Sequence, residues 1–335
     1  MTKQISKHFA LLACVGLLLS ASPSMAQGKL ATLKPTRSGL PAQGTSHFGG
    51  KELPNSPSYS FSYFDFPQAP YTAPTAINSG AVTSKILIVG GYGPEFDSGF
   101  LLRVGVNKSS IDEAYSAVNF PGSSNQIADG INDLGQIVGF YFDSAGNQHG
   151  YEFSGGTFTT LDVPFFGAIG TGPTQINNSG EIVGVWSDSS GLLHGFMLVA
   201  GLYTSLDYPG GTNTEASCVN NEGDIVGDYQ DSSGNFHGFL LSGGAYSSID
   251  VPGAQGTIVI GNNDPGEMVG WYCTDTACEA YQGYLLSGGA FTTINAPGTD
   301  TSILWDINDK GVIVGSYSDS RGGPEGEAHA FVAAP

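Results

Sequence analysis

The chain has 335 residues, of which 12% are charged and 50 are glycine, and its formal net charge is −19 at pH 7. An acidic balance of this size excludes the basic footprint that nucleic-acid-binding proteins present. Beyond the N-terminal segment, no stretch has helical periodicity and no apolar run is long enough to span a membrane.

Residues 1–26 have the pattern of a secretory signal peptide. Lys3 and Lys7 precede an apolar run from Phe9 to Leu19, and Ser24 to Ala26 provide the small residues of a cleavage site. Because two positive charges leave with this segment, the net charge changes from −19 to −21. We therefore expect an exported protein, either secreted or periplasmic. Cys14 within this segment loosely fits a lipidation site, an alternative that the continuing apolar run disfavours.

The composition of the remaining chain predicts two further regions. Residues 27–58 are rich in Gly, Pro, Ser, Thr and Lys, and they predict a flexible leader. Residues 59–335 are dense in aromatic, glycine and β-branched residues and predict one large all-β domain.

A single pattern is written six times in this domain. Each unit contains four short runs of alternating apolar and polar residues, separated by turn signals, as in the stretch from Asn220 to Pro252. The units align on the glycine of an Ile-Val-Gly core: Gly90, Gly139, Gly184, Gly227, Gly270 and Gly315.

Two other positions recur around this core. An asparagine stands in the turn before it and is predicted to cap that turn: Asn78, Asn132, Asn177, Asn220, Asn263 and Asn308. An aromatic residue stands two positions after the glycine and is predicted to pack between neighbouring sheets: Tyr92, Tyr141, Trp186, Tyr229, Tyr272 and Tyr317.

A period near 43 residues with four strands is typical of propeller blades. Six periods predict a six-bladed β-propeller of four-stranded blades. The sixth unit stops after Val332 without a fourth strand, and Phe61 to Pro67 matches Phe158 to Pro164 in residue type. We expect this N-terminal outer strand to complete the last blade and close the ring. A β-solenoid, seven blades or an open ring are the alternatives; a solenoid gives no reason for the missing strand to stand at the start.

The order of these motifs resembles the HAF-repeat family of bacterial extracellular repeat proteins. Ile-Asn-x-x-Gly-x-Ile-Val-Gly-x-Tyr is followed by His-Gly-Phe or His-Ala-Phe, and then by Phe-Thr-Thr-Ile/Leu-Asp-x-Pro-Gly. The resemblance covers about residues 59–332, and the first unit, Ala76 to Phe120, fits it worst. It implies an extracellular repeat protein and assigns no activity.

Repeated histidines stand before Gly or Ala and an aromatic residue: His149, His194, His237 and His329. Gln282 and Ser98 take this position in the other two units. A metal ring would tolerate such gaps poorly, whereas a hydrogen bond between a strand and a turn can use another polar group. We therefore expect a structural role for these histidines.

Two sets of aspartates are predicted to lie on one face and to make it acidic. One set stands in the second-to-third-strand turns: Asp143, Asp188, Asp231, Asp275 and Asp319. The other ends the outer strands: Asp65, Asp162, Asp207 and Asp250. Each turn supplies one carboxylate and lacks the dense spacing of a calcium loop, so turn capping is the expected role, calcium is only a weak alternative, and no cofactor is predicted.

The cysteines fit an oxidising compartment. Cys273 and Cys278 flank one hairpin turn, close enough for a disulfide that staples a longer loop. Cys218 lies on the first strand of its unit and is expected to be buried and unpaired.

Function is expected where the units differ. The connections from an outer strand to the next inner strand vary most, and a ligand site is predicted near the channel mouth from acids, an amide and an aromatic: Asp129, Gln175, Glu215, Asp300, Trp305 and Asp306. A small polar ligand or sugar would suit these groups, while a satisfied channel lining is the plainer interpretation.

The chain contains no Gly-x-Ser-x-Gly, no His-Glu-x-x-His, no P-loop and no Gly-x-Gly-x-x-Gly between a strand and a helix. The leading hypothesis is a secreted, monomeric binding or scaffold module that uses its acidic face and channel mouth to bind a protein, glycan or cation. The alternative is a polysaccharide hydrolase or lyase using Asp129, Glu215, Asp300 or Asp306, which requires two carboxylates about 5 to 10 Å apart in one pocket. A purely structural repeat protein is a third possibility.

Overall fold

A computed structural model describes residues 59–335 except 70, 81–85, 94–96, 108–109, 124, 276–277, 279, 300 and 319–327. The predicted signal peptide and leader, at 1–26 and 27–58, lie outside the described residues. All regular structure in the described part is β-strand. No helix there is long and apolar enough to cross a bilayer.

The strands are numbered in chain order. The first eight are β1 (Ser60–Phe64), β2 (Thr72–Ile77), β3 (Ile86–Tyr92), β4 (Ser98–Asn107), β5 (Ser110–Val118), β6 (Asn125–Ile131), β7 (Ile137–Phe142) and β8 (Gln148–Ser154). The next eight are β9 (Thr157–Leu161), β10 (Ala168–Ile176), β11 (Ile182–Asp188), β12 (Leu193–Val199), β13 (Leu202–Leu206), β14 (Thr212–Val219), β15 (Ile225–Gln230) and β16 (Phe236–Ser242). The last eight are β17 (Ala245–Ile249), β18 (Gly256–Asn262), β19 (Met268–Cys273), β20 (Tyr281–Ser287), β21 (Ala290–Thr293), β22 (Ser302–Ile307), β23 (Ile313–Ser318) and β24 (Ala328–Ala334).

Consecutive strands pair in antiparallel sheets of four. The orders are β2-β3-β4-β5, β14-β15-β16-β17 and β18-β19-β20-β21, and β6 to β13 repeat the same arrangement twice. A single parallel pair, Gly170 with Gln148, joins these two sets into one eight-stranded sheet. The first strand of each sequence unit packs against the preceding sheet, as β14 does against β11 and β12, so the fold is an all-β propeller.

The final sheet combines the two ends of the described chain. Its order is β1-β24-β23-β22, and β1 runs antiparallel to β24 from Ser60 opposite Ala334 to Phe64 opposite Ala330. β2, the strand that follows β1, packs against β22, β23 and β24 of this sheet. Phe61 contacts Phe331 with ring centroids 5.4 Å apart, so side chains as well as backbone join the two ends.

The repeated glycines are required by close packing between the first and second strands of each unit. A Cβ at Gly139 would clash with the carbonyl oxygen of Ile127, and one at Gly227 would clash with that of Glu215. An aromatic ring of the third strand covers the same spot, since the Tyr151 hydroxyl would lie 3.0 Å from the added Cβ of Gly139. Any side chain at this position would therefore force two strands apart.

The aromatic residue two positions later stacks on the outer-to-inner connection. Tyr141 is buried and stacks on Phe120, with centroids 3.7 Å apart, and His149 lies against its other side at 5.2 Å. Tyr208, Tyr229 and His237 form the same three-layer stack in the fourth unit. These stacks fix the outer-to-inner connection onto the sheet that follows it.

The cysteine predictions are confirmed. Cys273 and Cys278 form a disulfide with their Cα atoms 4.9 Å apart, across the loop that joins β19 to β20. Cys218 is buried and free, and its Sγ lies 3.8 Å from the carbonyl oxygen of Asn262.

Candidate functional site

Each innermost strand carries a β-bulge three residues before the repeated asparagine. In β6 the pairing with β7 passes from Ala128 to Gly130 and skips Asp129, and β14 skips Ser217 in the same way. The six skipped residues are Thr75, Asp129, Thr174, Ser217, Ile260 and Trp305. Since an extra residue in a bulge is left unpaired and turns its side chain out of the regular alternation, one side chain per unit can face the centre.

All six bulge residues line one cavity in the centre of the propeller, together with Gln175 and Asp306. The volume of this cavity is about 20 Å³, which is space for one water-sized group. The predicted residues Asp129, Gln175, Trp305 and Asp306 are thus brought together, but the space between them is too small for a sugar ring.

Gln175 and Asp306 close the channel at this level. They come from strands on opposite sides, and Gln175 Nε2 lies 3.4 Å from Asp306 Oδ2. The Asp306 carboxylate accepts backbone N–H groups of Ile77 and Ile307 at 2.9 and 2.8 Å. Burial raises the pKa of Asp306 to about 7, against the lowering effect of these hydrogen bonds.

Two glycines make room for this pair. A Cβ at Gly130 would lie 2.8 Å from Gln175 Oε1, and a Cβ at Gly261 would lie 2.8 Å from Asp306 Oδ1. Gln175 Oε1 also accepts the backbone N–H of Ile131 at 3.1 Å, so the amide bridges neighbouring strands. Glycine is therefore needed at 130 and 261 because the side chains of Gln175 and Asp306 occupy the space beside them.

The predicted position of this site needs a correction. The residues were expected near the outer-to-inner connections, which precede the inner strands. Asp129 and Gln175 instead stand near the far ends of β6 and β10, next to the first-to-second-strand turns. The bulges lie beyond the middle of each inner strand, and the residues they leave unpaired, with Gln175 and Asp306 beside them, line the channel there.

A belt of asparagines surrounds the channel mouth beyond Gln175 and Asp306. Asn220 Oδ1 accepts the N–H groups of Glu222 and Asp224, which confirms the predicted turn cap. Its Nδ2 donates to the carbonyl oxygen of Asn263 in the next unit at 3.1 Å. The same link joins Asn132 to Asn177, Asn177 to Asn220, Asn263 to Asn308 and Asn308 to Asn78. Asn78 Nδ2 is buried without a partner, so the described belt has one open link.

A second belt lies beside the first. The residue after each asparagine accepts the backbone N–H of its neighbour, as Asn221 does from Asn178 at 2.8 Å and Asp264 does from Asn221 at 2.8 Å. Asp133 accepts the N–H of Gly80 at 2.9 Å. The cavity at this mouth has a volume of about 60 Å³, and its polar lining is largely engaged in these bonds.

Glu215 does not belong to the channel site, contrary to the prediction. It is buried opposite Asp228 on the neighbouring strand and lines neither of the two cavities just described. Burial, and then the charge of Asp228, raise the pKa of Glu215, and burial raises the pKa of Asp228 to about 8. Glu215 and Asp228 form a buried carboxyl pair, where the second unit has Ile127 and Phe140. Asp300 lies outside the described residues.

The connection before β14 is also structural. Thr214 Oγ1 accepts the N–H of Tyr208 at 3.0 Å, and Thr171, Thr257 and Ser302 make the equivalent bond in their units. Asn213 Oδ1 accepts the N–H of Leu193 at 3.0 Å and so joins the third unit to the fourth.

The opposite face carries histidines together with members of both sets of aspartates. His149 Nδ1 lies 2.9 Å from Asp162, which ends an outer strand, and its Nε2 lies 3.5 Å from Asp143, in a second-to-third-strand turn. His194 and His237 bridge equivalent aspartates. These contacts place six of the aspartates on one face, which we call the connection face: Asp143, Asp162, Asp188, Asp207, Asp231 and Asp250. They give these histidines the expected tying role, whereas Asp319 lies outside the described residues.

Titration behaviour follows from these bonds. The side-chain and backbone hydrogen bonds of Asn147 are the main reason that the pKa of Asp143 falls to about 2. Burial lowers the pKa of His149, but hydrogen bonds and charges of Asp162 and Asp143 outweigh it, so the pKa is raised. Asp162 keeps 47% of its side chain exposed and Asp207 keeps 53%, which leaves carboxylates open to solvent on this face.

Three exposed apolar side chains also stand on the connection face, beside the third unit. Phe166 is fully exposed in the connection between β9 and β10, Ile169 is 60% exposed at the start of β10, and Leu192 is 41% exposed in the turn before β12. Gly167 lies against the Ser189 hydroxyl of that turn, so the connection and the turn are adjacent.

Sequence reasoning missed several channel residues. Thr75, Thr174, Ser217 and Ile260 line the central cavity, yet nothing in their residue types singles them out. Their common offset from the repeated asparagine was the available signal. Among the described residues, no group of three or more His, Cys, Asp or Glu side chains is arranged to hold a metal ion.

No family model and no curated protein matches this chain. Solved structures similar to it include AofleA from Arthrobotrys oligospora, with 12% identity, a TM-score of 0.47, and coverage of 77% of this chain and 82% of that one. TolB from Acinetobacter baumannii has 11% identity, a TM-score of 0.46, and coverage of 71% and 60%. A fungal lectin from Aleuria aurantia, described as a six-bladed β-propeller, has 13% identity, a TM-score of 0.40, and coverage of 78% and 96%.

Proposed function

We propose that this protein is an exported binding module of the HAF-repeat type, and that its connection face is the binding surface. The observation that supports this proposal is that half-exposed carboxylates lie on the same face as the exposed side chains of Phe166, Ile169 and Leu192, beside the third unit. Clustered exposed apolar side chains with a charged surround are typical of interaction sites. A partner with basic and apolar groups would complement both features.

The proposed scaffold is a six-bladed ring closed by β1. The pairing of β1 with β24 supports this, as does the packing of β2 against β22 to β24. Export is supported by the disulfide between Cys273 and Cys278, which needs an oxidising compartment, and by the signal pattern of the first 26 residues.

The hydrolase or lyase alternative has less support. Asp129 and Asp306 do line one cavity, as two catalytic carboxyls would, but about 20 Å³ leaves no room for a sugar ring between them. Glu215 is paired with Asp228 away from the channel.

The test compares variants of the two faces. Binding of the mature chain to a panel of Lys- and Arg-containing peptides with aromatic residues is measured by calorimetry, with a glycan array in parallel. We expect salt-sensitive peptide binding that Phe166→Ser weakens by about tenfold. Leu134, which is 60% exposed in the turn between β6 and β7 on the opposite face, provides the control variant Leu134→Ser.

Equal losses in both variants, or binding to none of these probes, would refute the connection face as the binding surface. Binding to neutral glycans alone would refute the proposed basic partner and indicate a carbohydrate ligand.

A further inference from the structure

The central cavity is polar on one side and apolar on the other. The first four units contribute Thr75, Asp129, Thr174 and Ser217 through their bulges, whereas the fifth and sixth contribute Ile260 and Trp305. Trp305 is held by a bond from its Nε1 to the Ser316 hydroxyl at 2.8 Å. The apolar wall is therefore fixed, and any occupant must be held from the other side.

A buried carboxyl in this cavity has no basic neighbour. Asp129 is 5% exposed, and none of the eight lining residues is Lys, Arg or His. Asp306 lines the same space, but both of its oxygens accept backbone N–H groups. An ionised carboxylate without a counter-charge is costly at such a position, so either a proton or a cation has to neutralise Asp129.

A second observation points to an occupant. The Ser217 hydroxyl is buried and has no hydrogen-bond partner. Polar atoms left unpaired in a native interior commonly mark an ion or an ordered water.

The two threonines present oxygens that suit coordination. Thr75 Oγ1 donates to the carbonyl of Ala128 at 2.7 Å, and Thr174 Oγ1 donates to that of Ala216 at 2.8 Å. Since their protons are directed at these carbonyls, oxygen lone pairs remain for a cation.

We propose that Asp129, with the hydroxyls of Thr75, Thr174 and Ser217, binds one monovalent alkali cation, Na⁺ or K⁺, in the channel. The donor set is entirely oxygen, as hard cations prefer. It supplies one negative charge, whereas calcium sites usually combine several carboxylates with carbonyls. A volume of about 20 Å³ admits a single ion and excludes an organic ligand.

The test measures thermal unfolding of the mature chain at constant ionic strength. Tetramethylammonium chloride, which is too large for the cavity, is replaced stepwise by NaCl, KCl or CaCl₂. We expect Na⁺ or K⁺ to raise the Tm saturably, by about 4 °C or more, because a ligand of the folded state stabilises it.

Variants assign the effect to the cavity. Asp129→Asn is expected to abolish the cation dependence, and Ser217→Ala to weaken it. Asp224→Asn removes one negative charge from a turn outside the cavity, and this variant is expected to retain the cation dependence of the Tm. Crystals soaked in rubidium chloride should show an anomalous peak among the four oxygens.

The proposal fails if Na⁺ and K⁺ give no rise over tetramethylammonium, if only Ca²⁺ stabilises, or if Asp129→Asn responds like the parent chain. Because the readout is a difference between salts for each variant, a general loss of stability in Asp129→Asn cannot imitate the expected result.

Discussion

Gln175 and Asp306 lie 131 positions apart in sequence and meet across the channel, with Nε2 of one 3.4 Å from Oδ2 of the other. Each also accepts backbone N–H groups from its own strand and from an adjacent inner strand. The contact therefore ties four inner strands to one point.

Asp306→Ala is expected to lower the free energy of unfolding by about 3 kcal/mol, because the buried N–H groups of Ile77 and Ile307 lose their acceptor. Denaturant unfolding measures the change, and the exposed Lys310→Ala is the control. A loss below about 1 kcal/mol would contradict the role given to this carboxylate.

The pair of Glu215 and Asp228 should make stability depend on pH. The pKa of each is higher in the folded state than in the unfolded chain, so the folded state binds more protons and stability falls as pH rises from about 4 through 8. Asp228→Asn is expected to remove the part of this fall that comes from Asp228 and from its charge on Glu215, whereas burial of Glu215 keeps the rest. The Tm of this variant should exceed that of the parent chain at pH 8.5 but not at pH 4.5. Asp224→Asn is the control; a parallel pH profile for both variants would show that the pair is not responsible.

The asparagine belt offers a matched comparison. Asn220→Ala removes two turn-capping bonds and the link to Asn263, for an expected loss of about 3 kcal/mol. Asn78→Ala removes one bond, from the N–H of Leu87, and an amide that has no partner, so about 1 kcal/mol is expected. Denaturant titration of both variants measures their free energies of unfolding. Equal losses would show that the bond between units does not contribute to stability.

His237 should contribute to stability mainly at mildly acidic pH. Burial lowers its pKa, but Asp250 and Asp231 outweigh this, so the folded value is raised and the contribution is lost as pH rises through it. The pKa of Asp231 is lowered to about 2, so its part is lost only as pH falls from about 4 towards 2. The Tm advantage of the parent chain over His237→Leu should thus be largest near pH 5 and smaller at pH 8.

Glutamine at this position is expected to retain part of the contact, as Gln282 does by accepting from the Tyr272 hydroxyl at 2.7 Å. His237→Gln should therefore be more stable than His237→Leu at pH 8. The reverse order would contradict the tying role.

Loss of the disulfide should have a modest effect because its loop is short. The two cysteines are five positions apart, and the entropy of so short a loop corresponds to about 2 kcal/mol. Reductant is expected to lower the Tm of the parent chain and to leave that of Cys273→Ser/Cys278→Ser unchanged, since Cys218 is unpaired. A reductant effect in the double variant would contradict this assignment.

Much of the architecture could be predicted because the repeat is local. Turn asparagines, core glycines, stacked aromatics and the cysteine pair depend on neighbours within one unit or the next, and six copies make their requirements visible. The histidine contacts were predicted for the same reason, since Asp143, His149 and Asp162 lie within one unit.

The channel could not be predicted in the same way. The strand period of two assigns each side chain, including those of Asp129 and Gln175, to one face of its sheet by counting alternate residues. The bulge changes this alternation, and no residue type in the sequence signals where it occurs. The cross-channel contact depends on which units stand opposite each other, and the burial of Glu215 depends on its partner Asp228 in β15. The first is a property of the assembled propeller, and the second is a pairing that only one of the six units contains.

The pairing of β1 with β24 has a consequence for how the chain is made. β1 leaves the ribosome well before β24, because β2 to β23 lie between them in sequence, so the strand must wait for its partner while these are made. Such a free edge invites pairing with another chain. Because β1 pairs with a strand made so much later, the interval between the synthesis of β1 and that of β24 is the period of greatest exposure for β1. A chaperone that holds β1 would protect it during this interval.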